Sequence, residues 1–213
     1  MKFPLVRRHC IALLLLAGLA GASLAQKHAP VILVLGDSLS AEYGLKRGTG
    51  WVALMEQRLV SEKILAQVVN ASISGDTTSG GRSRLPALLA AHQPAVVVIE
   101  LGGNDALRGL PLSMTRDNLD AMSRAARAAG ARVLLAGMQL PPNYGQAYAR
   151  EFAAAFAAVA KANQAALVPF MLKGVADAPD PTALFQADRI HPVEAAHPVI
   201  LNTMWPAVRK LIP

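Results

Sequence analysis

From residue 30 onward, short runs of Val, Ile and Leu alternate with longer stretches in which apolar residues recur every three or four positions. Residues 31–35, 66–69, 95–101, 131–136 and 166–169 are apolar almost throughout, the pattern of strands buried on both faces of a parallel sheet. Helical stripes lie between them. Residues 51–61 set Trp51, Leu54, Met55 and Leu59 on one face, and residues 83–91 do the same with Leu85, Leu88 and Leu89. A helix over residues 119–129 stops at Gly130, since glycine accepts the left-handed conformation that ends a helix. Residues 148–162 form an alanine-rich helix before Asn163. A last helix is expected from Pro192, a residue suited to a first turn, towards Arg209, bent or divided by Pro198 and Pro206. The alternation predicts a single α/β domain, a three-layer α/β/α sandwich around five parallel strands with right-handed crossovers. Pro141-Pro142-Asn143-Tyr144-Gly145 is the one segment turn-rich enough to form a loop of its own.

The amino terminus reads differently. Lys2, Arg7 and Arg8 precede an apolar run over residues 11–19, and Ser23-Leu24-Ala25 follows. This is the form of a secretory signal peptide over residues 1–25, too short to span a bilayer comfortably; an uncleaved anchor is the alternative. Cleavage after Ala25 leaves a domain over residues 26–213. It removes three cations and no acid, taking the net charge from +7 to +4, and it takes Cys10, the only cysteine of the 213 residues. Cys10 lacks the small-residue setting of a lipid-attached cysteine. Disulfides are therefore excluded as staples, and none is needed, because a domain of this size buries about 70% of its unfolded surface in one core. Export to the periplasm or the medium is expected, as a monomer, with no stable membrane insertion after cleavage. A charge of +4 without a Lys/Arg run or interleaved aromatics does not suit nucleic acid.

Candidate chemistry collects where each predicted strand ends, the edge at which open parallel sheets bind ligands. Gly36-Asp37-Ser38-Leu39-Ser40 follows the first strand, residues 70–77 the second, Gly102-Gly103-Asn104-Asp105 the third, and Asp188-Arg189-Ile190-His191 precedes the last helix. Singly, these are ordinary turns: an acidic cluster, a glycine-rich loop, a histidine leading into a helix. Jointly they meet the needs of acyl transfer. A serine hydroxyl needs a base to become a nucleophile, and His191 is that base, oriented by Asp188 three residues earlier. The backbone N–H groups of Ser38 and Gly75 and the amide of Asn104 are candidate oxyanion donors.

These residues resemble the SGNH, or GDSL, hydrolase superfamily. Ser38 in GDSLS corresponds to its first block, Gly75 to the second, Asn104 in GGND to the third, and Asp188 with His191 to the fifth. The segments over residues 68–77, 84–89, 100–105, 107–109 and 140–145 are further similar to the secreted bacterial thioesterase I/arylesterase/lysophospholipase subfamily, over essentially the whole chain from residue 30 to 210. The resemblance implies a flavodoxin-like sandwich and hydrolysis of acyl thioesters, aryl or alkyl esters and lysophospholipids, with small-molecule substrates and neither metal nor organic cofactor. It also implies that Leu140, Pro141, Asn143 and Tyr144 help to wall an acyl groove. Two alternatives keep the fold: a carbohydrate O-acetylesterase with the same mechanism, and a non-catalytic lipid or glycan binder. The chain departs from the family at Arg189, where relatives commonly have glycine, which predicts a stiffer or more basic loop, and at Ala106, where glycine is frequent.

The other polar residues have structural readings. Asp37 and Asp105 are expected to brace their turns and Asp76 to cap the helix that follows it. His92 is expected in solvent, His197 at the surface or in a supporting place. Arg108, Arg116, Arg124 and Arg127 read as the solvated face of one helix.

Overall fold

The computed structural model describes residues 29–213. The expected signal peptide, its cleavage site, Cys10 and His28 lie outside them. Five strands, β1 (Val31–Gly36), β2 (Gln67–Asn70), β3 (Val96–Glu100), β4 (Arg132–Ala136) and β5 (Ala166–Val168), form one parallel sheet in the order β2-β1-β3-β4-β5. Six helices flank it: α1 (Trp51–Ser61), α2 (Thr78–His92), α3 (Gly103–Leu107), α4 (Leu112–Ala128), α5 (Gln146–Ala162) and α6 (His197–Leu211). α1 packs with α6, and α4 packs with both α2 and α5, which gives the sheet two separate helical layers.

The central strands carry the hydrophobic argument. Ile32 to Leu35 of β1 and all of β3 are buried, so neither face meets water. β2 is not buried on both faces as the apolar run suggested. It is an edge strand whose Gln67 and Asn70 are exposed and whose valines are half-buried. β5, at the other edge, is likewise only partly covered. Trp51, Met55 and Leu59 seat α1, while Phe152 and Phe156 of α5 meet edge to face with centroids 5.3 Å apart, a favoured aromatic geometry.

The last helix starts five residues later than expected. Pro192 pairs with Phe185 in an antiparallel bridge, a short 3-10 turn spans Glu194–Ala196, and α6 then begins at His197 with Pro198 in its first turn. A proline there loses no hydrogen bond, because the first N–H groups of a helix have no partner within it. Pro206 lies inside α6 without dividing it. α2 and α4 begin earlier than their stripes indicated. Thr77 caps α2 by accepting the Gly80 N–H, so the Gly80-Gly81 pair is helical; Asp76, expected as the cap, instead accepts the Thr77 N–H and pairs with Arg84. α3 was hidden inside the GGND turn.

One glycine fixes how β4 leaves the sheet. A Cβ on Gly137 would lie 2.5 Å from the Pro169 carbonyl oxygen and 2.8 Å from that of Val168. This close approach lets the Gly137 N–H reach the Val168 carbonyl at 2.7 Å and the Gly137 carbonyl accept from Met171 at 3.0 Å. The pair of bonds aims residues 138–141 towards the site.

Candidate active site

The strand order places the site. In a 2-1-3-4-5 sheet the connections leave in opposite directions at the β1/β3 boundary, which opens a crevice at the carboxyl ends of those two strands. Ser38 lies two residues beyond β1, and Asn104 lies in α3 directly after β3. Gly75 enters from the β2–α2 connection, and Asp188 and His191 from the segment ahead of α6. The structure therefore brings together at one edge residues spread over more than 150 positions of sequence.

The Ser38, His191 and Asp188 side chains form a continuous hydrogen-bonded chain. His191 Nε2 lies 2.9 Å from Ser38 Oγ, and His191 Nδ1 lies 2.6 Å from Asp188 Oδ2. A tight hairpin positions the histidine: Gln186 N–H donates to the His191 carbonyl at 2.7 Å, and Arg189 N–H to the Gln186 carbonyl at 2.9 Å. Asp188 stitches the tip, its Oδ1 accepting the N–H groups of Ile190 and His191 at 2.9 and 3.0 Å. The His191 backbone bond, its side-chain bond and the Ile190 bond hold the Asp188 carboxyl down to about 2. It is therefore ionised at neutral pH. Arg189 takes the left-handed backbone at φ 56, which costs a residue with a Cβ about 1 to 2 kcal/mol that glycine escapes.

Two oxyanion candidates have unspent protons. Neither the Ser38 nor the Gly75 N–H finds an acceptor among the described residues. Gly75, at φ 79, is in the left-handed region, and its carbonyl accepts from the Arg108 guanidinium at 2.8 Å. The amide of Asn104 is oriented by two acceptors, since Nδ2 donates to Asp37 Oδ2 and to the Asp76 carbonyl, both at 2.9 Å. Those bonds determine which end of the amide is the donor. Asp37 braces its turn as expected, accepting the Leu39 N–H at 3.1 Å.

Beneath Asp37 lies a residue that the strand pattern concealed. Glu100 ends β3, is buried, and accepts from Ser40 Oγ at 2.7 Å and from the Asp37 N–H at 3.3 Å; Ser40 in turn accepts from Trp51 Nε1 at 3.1 Å. Burial, and then the neighbouring Asp37 charge, push the Glu100 carboxyl well above the usual carboxylate range. Burial likewise raises Asp37 to about 6 against the opposing bonds from Leu39 and Asn104. A carboxyl whose pKa rises on folding stabilises the fold below its unfolded pKa and loses that contribution as pH climbs through the folded value. Glu100→Gln stays neutral and can still accept from Ser40. Its melting temperature relative to the unsubstituted protein should therefore rise as pH is taken from about 4 to 8. A difference that stays flat across that range would show that folding does not raise the Glu100 pKa.

The sequence matches the model of the GDSL-like lipase/acylhydrolase family over residues 34–199. The chain belongs to that family. It is 50% identical to Esterase TesA of Pseudomonas aeruginosa over 203 residues, covering 95% of this chain and 96% of that one. It is 41% identical to Thioesterase 1/protease 1/lysophospholipase L1 of Escherichia coli over 184 residues, 86% of each. A crystal structure of TesA superposes with a TM-score of 0.82 at 52% identity, covering 85% of this chain and 99% of that one. The five-stranded α/β sandwich is thus the fold of the family, as the resemblance implied.

In this family member the Ser38, Asn104 and His191 side chains face a cavity of about 290 Å³. Leu107, Met138, Leu140, Leu172 and Phe185 give it an apolar lining suited to an acyl chain, and Pro141 also reaches it. Asn143 and Tyr144, named with Leu140 and Pro141 as groove residues, do not line it. The backbone turns into a 3-10 segment at Pro142–Tyr144 and then into α5. A larger hollow of about 770 Å³ lies by β5 and α6, lined by Phe170, Lys173, Thr203 and Lys210 among others. It holds no nucleophile paired with a base, so chemistry, not size, identifies the site. Among the described residues no cluster of His, Cys, Asp and Glu could hold a metal ion.

Several supporting residues were left open or missed. Of the two places expected for His197 the supporting one holds: it is 2% exposed, and its Nδ1 accepts the Trp51 N–H at 3.1 Å, pinning α6 to α1. Burial lowers its pKa, so it stays neutral in that role. Tyr43, absent from the sequence expectations, packs against His191 with ring centroids 4.3 Å apart and planes tilted by 36°. Gln186 ties the two together, donating to the Tyr43 carbonyl at 3.0 Å and the Pro192 carbonyl at 3.1 Å. Asp105 braces more than its turn, accepting from the Thr78 N–H and hydroxyl and the Thr115 hydroxyl and so joining α2, α3 and α4. Arg116 and Arg124 pair with acids on α4, but Arg108 reaches Gly75 and Arg127 donates to the carbonyl of Asn163 and the side chain of Gln164.

Proposed function

We propose that the chain is an exported serine ester hydrolase acting on acyl thioesters, aryl or alkyl esters and lysophospholipids. The observation that carries this reading is the unbroken Asp188–His191–Ser38 hydrogen-bond chain at the wall of an apolar cavity. Ser38 Oγ attacks the substrate carbonyl while His191 Nε2 takes its proton. The imidazolium then delivers that proton to the leaving thiol or alcohol, and water, activated by the same nitrogen, resolves the acyl-enzyme. Asp188 keeps Nδ1 protonated throughout and stabilises the charge formed on the ring. The negative oxygen of the tetrahedral intermediate meets the unspent N–H groups of Ser38 and Gly75. Asn104 is the third donor: a charged acceptor makes the stronger hydrogen bond and draws the amide proton now held by the Asp76 carbonyl.

Export follows from the signal-peptide form of residues 1–25, with a periplasmic or secreted domain over residues 26–213 as its product. Among the described residues no helix is long and apolar enough to cross a membrane.

Labelling tests the assignment directly. An organophosphate should modify the protein at one site per chain, with the added mass on the peptide containing Ser38 and loss of p-nitrophenyl ester hydrolysis in step with labelling. Binding of acyl chains without labelling would identify the non-catalytic alternative, and activity on acetyl esters alone would favour the O-acetylesterase.

A further inference from the structure

We propose that Arg189 is an anion subsite of the catalytic cleft, selecting ester or thioester substrates that carry a carboxylate or phosphate on the acyl chain or the leaving group. The inference rests on the serine hydrolase reading above and adds to it a substrate class. Arg189 lies between Asp188 and His191, and it lines the cavity that holds Ser38 and Asn104. It also lines an adjoining hollow of about 460 Å³, and the two share Gln139, Leu140, Pro141, Ala176, Phe185 and Arg189. Arg189 is therefore common to the apolar cleft and the second chamber, and among the described residues it is the only lysine or arginine lining either one.

Its charge is uncommitted. Arg189 forms no salt bridge among the described residues, and its guanidinium donates no hydrogen bond there. The neighbouring acids are occupied. Asp188 spends both oxygens on the hairpin and His191, and Asp37 is buried below and bound by Asn104 and Leu39. Asp177, on the wall of the second chamber, accepts from the Gly174 N–H and forms no ion pair with Arg189. Arg108, the other arginine near the oxyanion donors, is bound to the Gly75 carbonyl. An arginine offers several N–H donors in a planar fork that matches a carboxylate or phosphate.

The test compares matched substrate pairs, with kcat/KM measured for each. One pair places the anion on the acyl chain: the p-nitrophenyl ester of hexanoic acid against that of adipic acid with its second carboxyl free. The other places it on the leaving group: hexanoyl-coenzyme A against the N-acetylcysteamine thioester of hexanoic acid. In at least one pair the anionic-to-neutral ratio should fall about three- to tenfold in Arg189→Met and recover in Arg189→Lys, the size expected of a partly exposed charge-assisted contact. The same ratio in the unsubstituted protein should fall as NaCl is raised from about 0.05 to 0.5 M. The pair that responds names the end of the substrate that Arg189 reads. Arg189→Gly, which removes the charge and relieves the backbone, should fold at least as well and show the same lowered ratio. Ratios unchanged within about twofold in both pairs and all variants would overturn the subsite. That result would leave the hydrolase reading standing, since the neutral esters report on it separately: only their failure to be cleaved in a Ser38-dependent way would remove both.

Discussion

Ser38→Ala is expected to lower kcat/KM on a p-nitrophenyl ester by more than about a thousandfold, and by as much as about a millionfold if the residual activity reflects only binding and oxyanion contacts. The substitution removes one oxygen, and with it the only atom within hydrogen-bond reach of His191 Nε2 among the described residues. No other group can take the role. Ser40 lies two residues on, but its hydroxyl donates to Glu100 and accepts from Trp51 and is buried away from the cavity. Asp37 is committed to Leu39 and Asn104. The variant should fold normally, because among the described residues Ser38 Oγ makes no hydrogen bond other than that to His191. Steady-state kinetics beside a thermal melt provide the check. Retention of more than about a thousandth of the activity with an unchanged melt would show that the nucleophile is elsewhere.

How much of this was legible depends on the range of the forces involved. The central strands could be read because burial on both faces leaves an uninterrupted run of Val, Ile and Leu, as at Val96, Val97, Val98 and Ile99 of β3. α1 could be read to the residue because its apolar stripe starts at Trp51 and recurs at Met55 and Leu59. α2 could not, since Gly80 and Gly81 argue locally against a helix, and only the Thr77 cap and the packing of Gly81 under Leu101 and Met122 overrule them. The start of α6 was misread for a related reason. Pro192 is a good first-turn residue, but its pairing with Phe185 closes the hairpin that presents His191. That pairing joins residues seven apart in a pattern with no periodicity to betray it. The chemical residues were visible because each sits in a short motif directly after a strand. Their supports were less so: Glu100 looks like the polar end of a strand, His197 could be placed only at the surface or in a supporting role, and Tyr43 looks like a loop aromatic. Each acquires its role from a partner distant in sequence, as His197 does from Trp51.

Asp188→Asn should cost about ten-thousandfold in kcat/KM while leaving the fold and KM nearly unchanged. The reasoning is one of donors and acceptors. Asp188 presents acceptors on both sides, Oδ1 to the N–H groups of Ile190 and His191 and Oδ2 to His191 Nδ1. An asparagine has a single oxygen. If that oxygen keeps the two backbone bonds, its NH₂ group faces Nδ1, which can then only accept, so the ring proton moves to Nε2. Nε2 now points an N–H at Ser38 Oγ and cannot remove its proton. If the amide turns over instead, the ring keeps its working tautomer, but the NH₂ group confronts two backbone N–H donors and the hairpin opens. The first arrangement keeps all three hydrogen bonds, with a neutral amide in place of the carboxylate, and the second sacrifices two, so the wrong tautomer wins. The substitution also removes the acid that this hairpin holds at about 2. A carboxyl depressed on folding stabilises the fold above its unfolded pKa and loses that contribution as pH falls towards the folded value. The variant should therefore lose less stability than the unsubstituted protein between about pH 4 and 2. Kinetics with a short-chain p-nitrophenyl ester at neutral pH, beside melts across that acidic window, check both statements. Activity above about a tenth of the original would mean that Asp188 does not set the tautomer of His191, because neither arrangement of the amide leaves Nε2 free to act as the base in an intact hairpin.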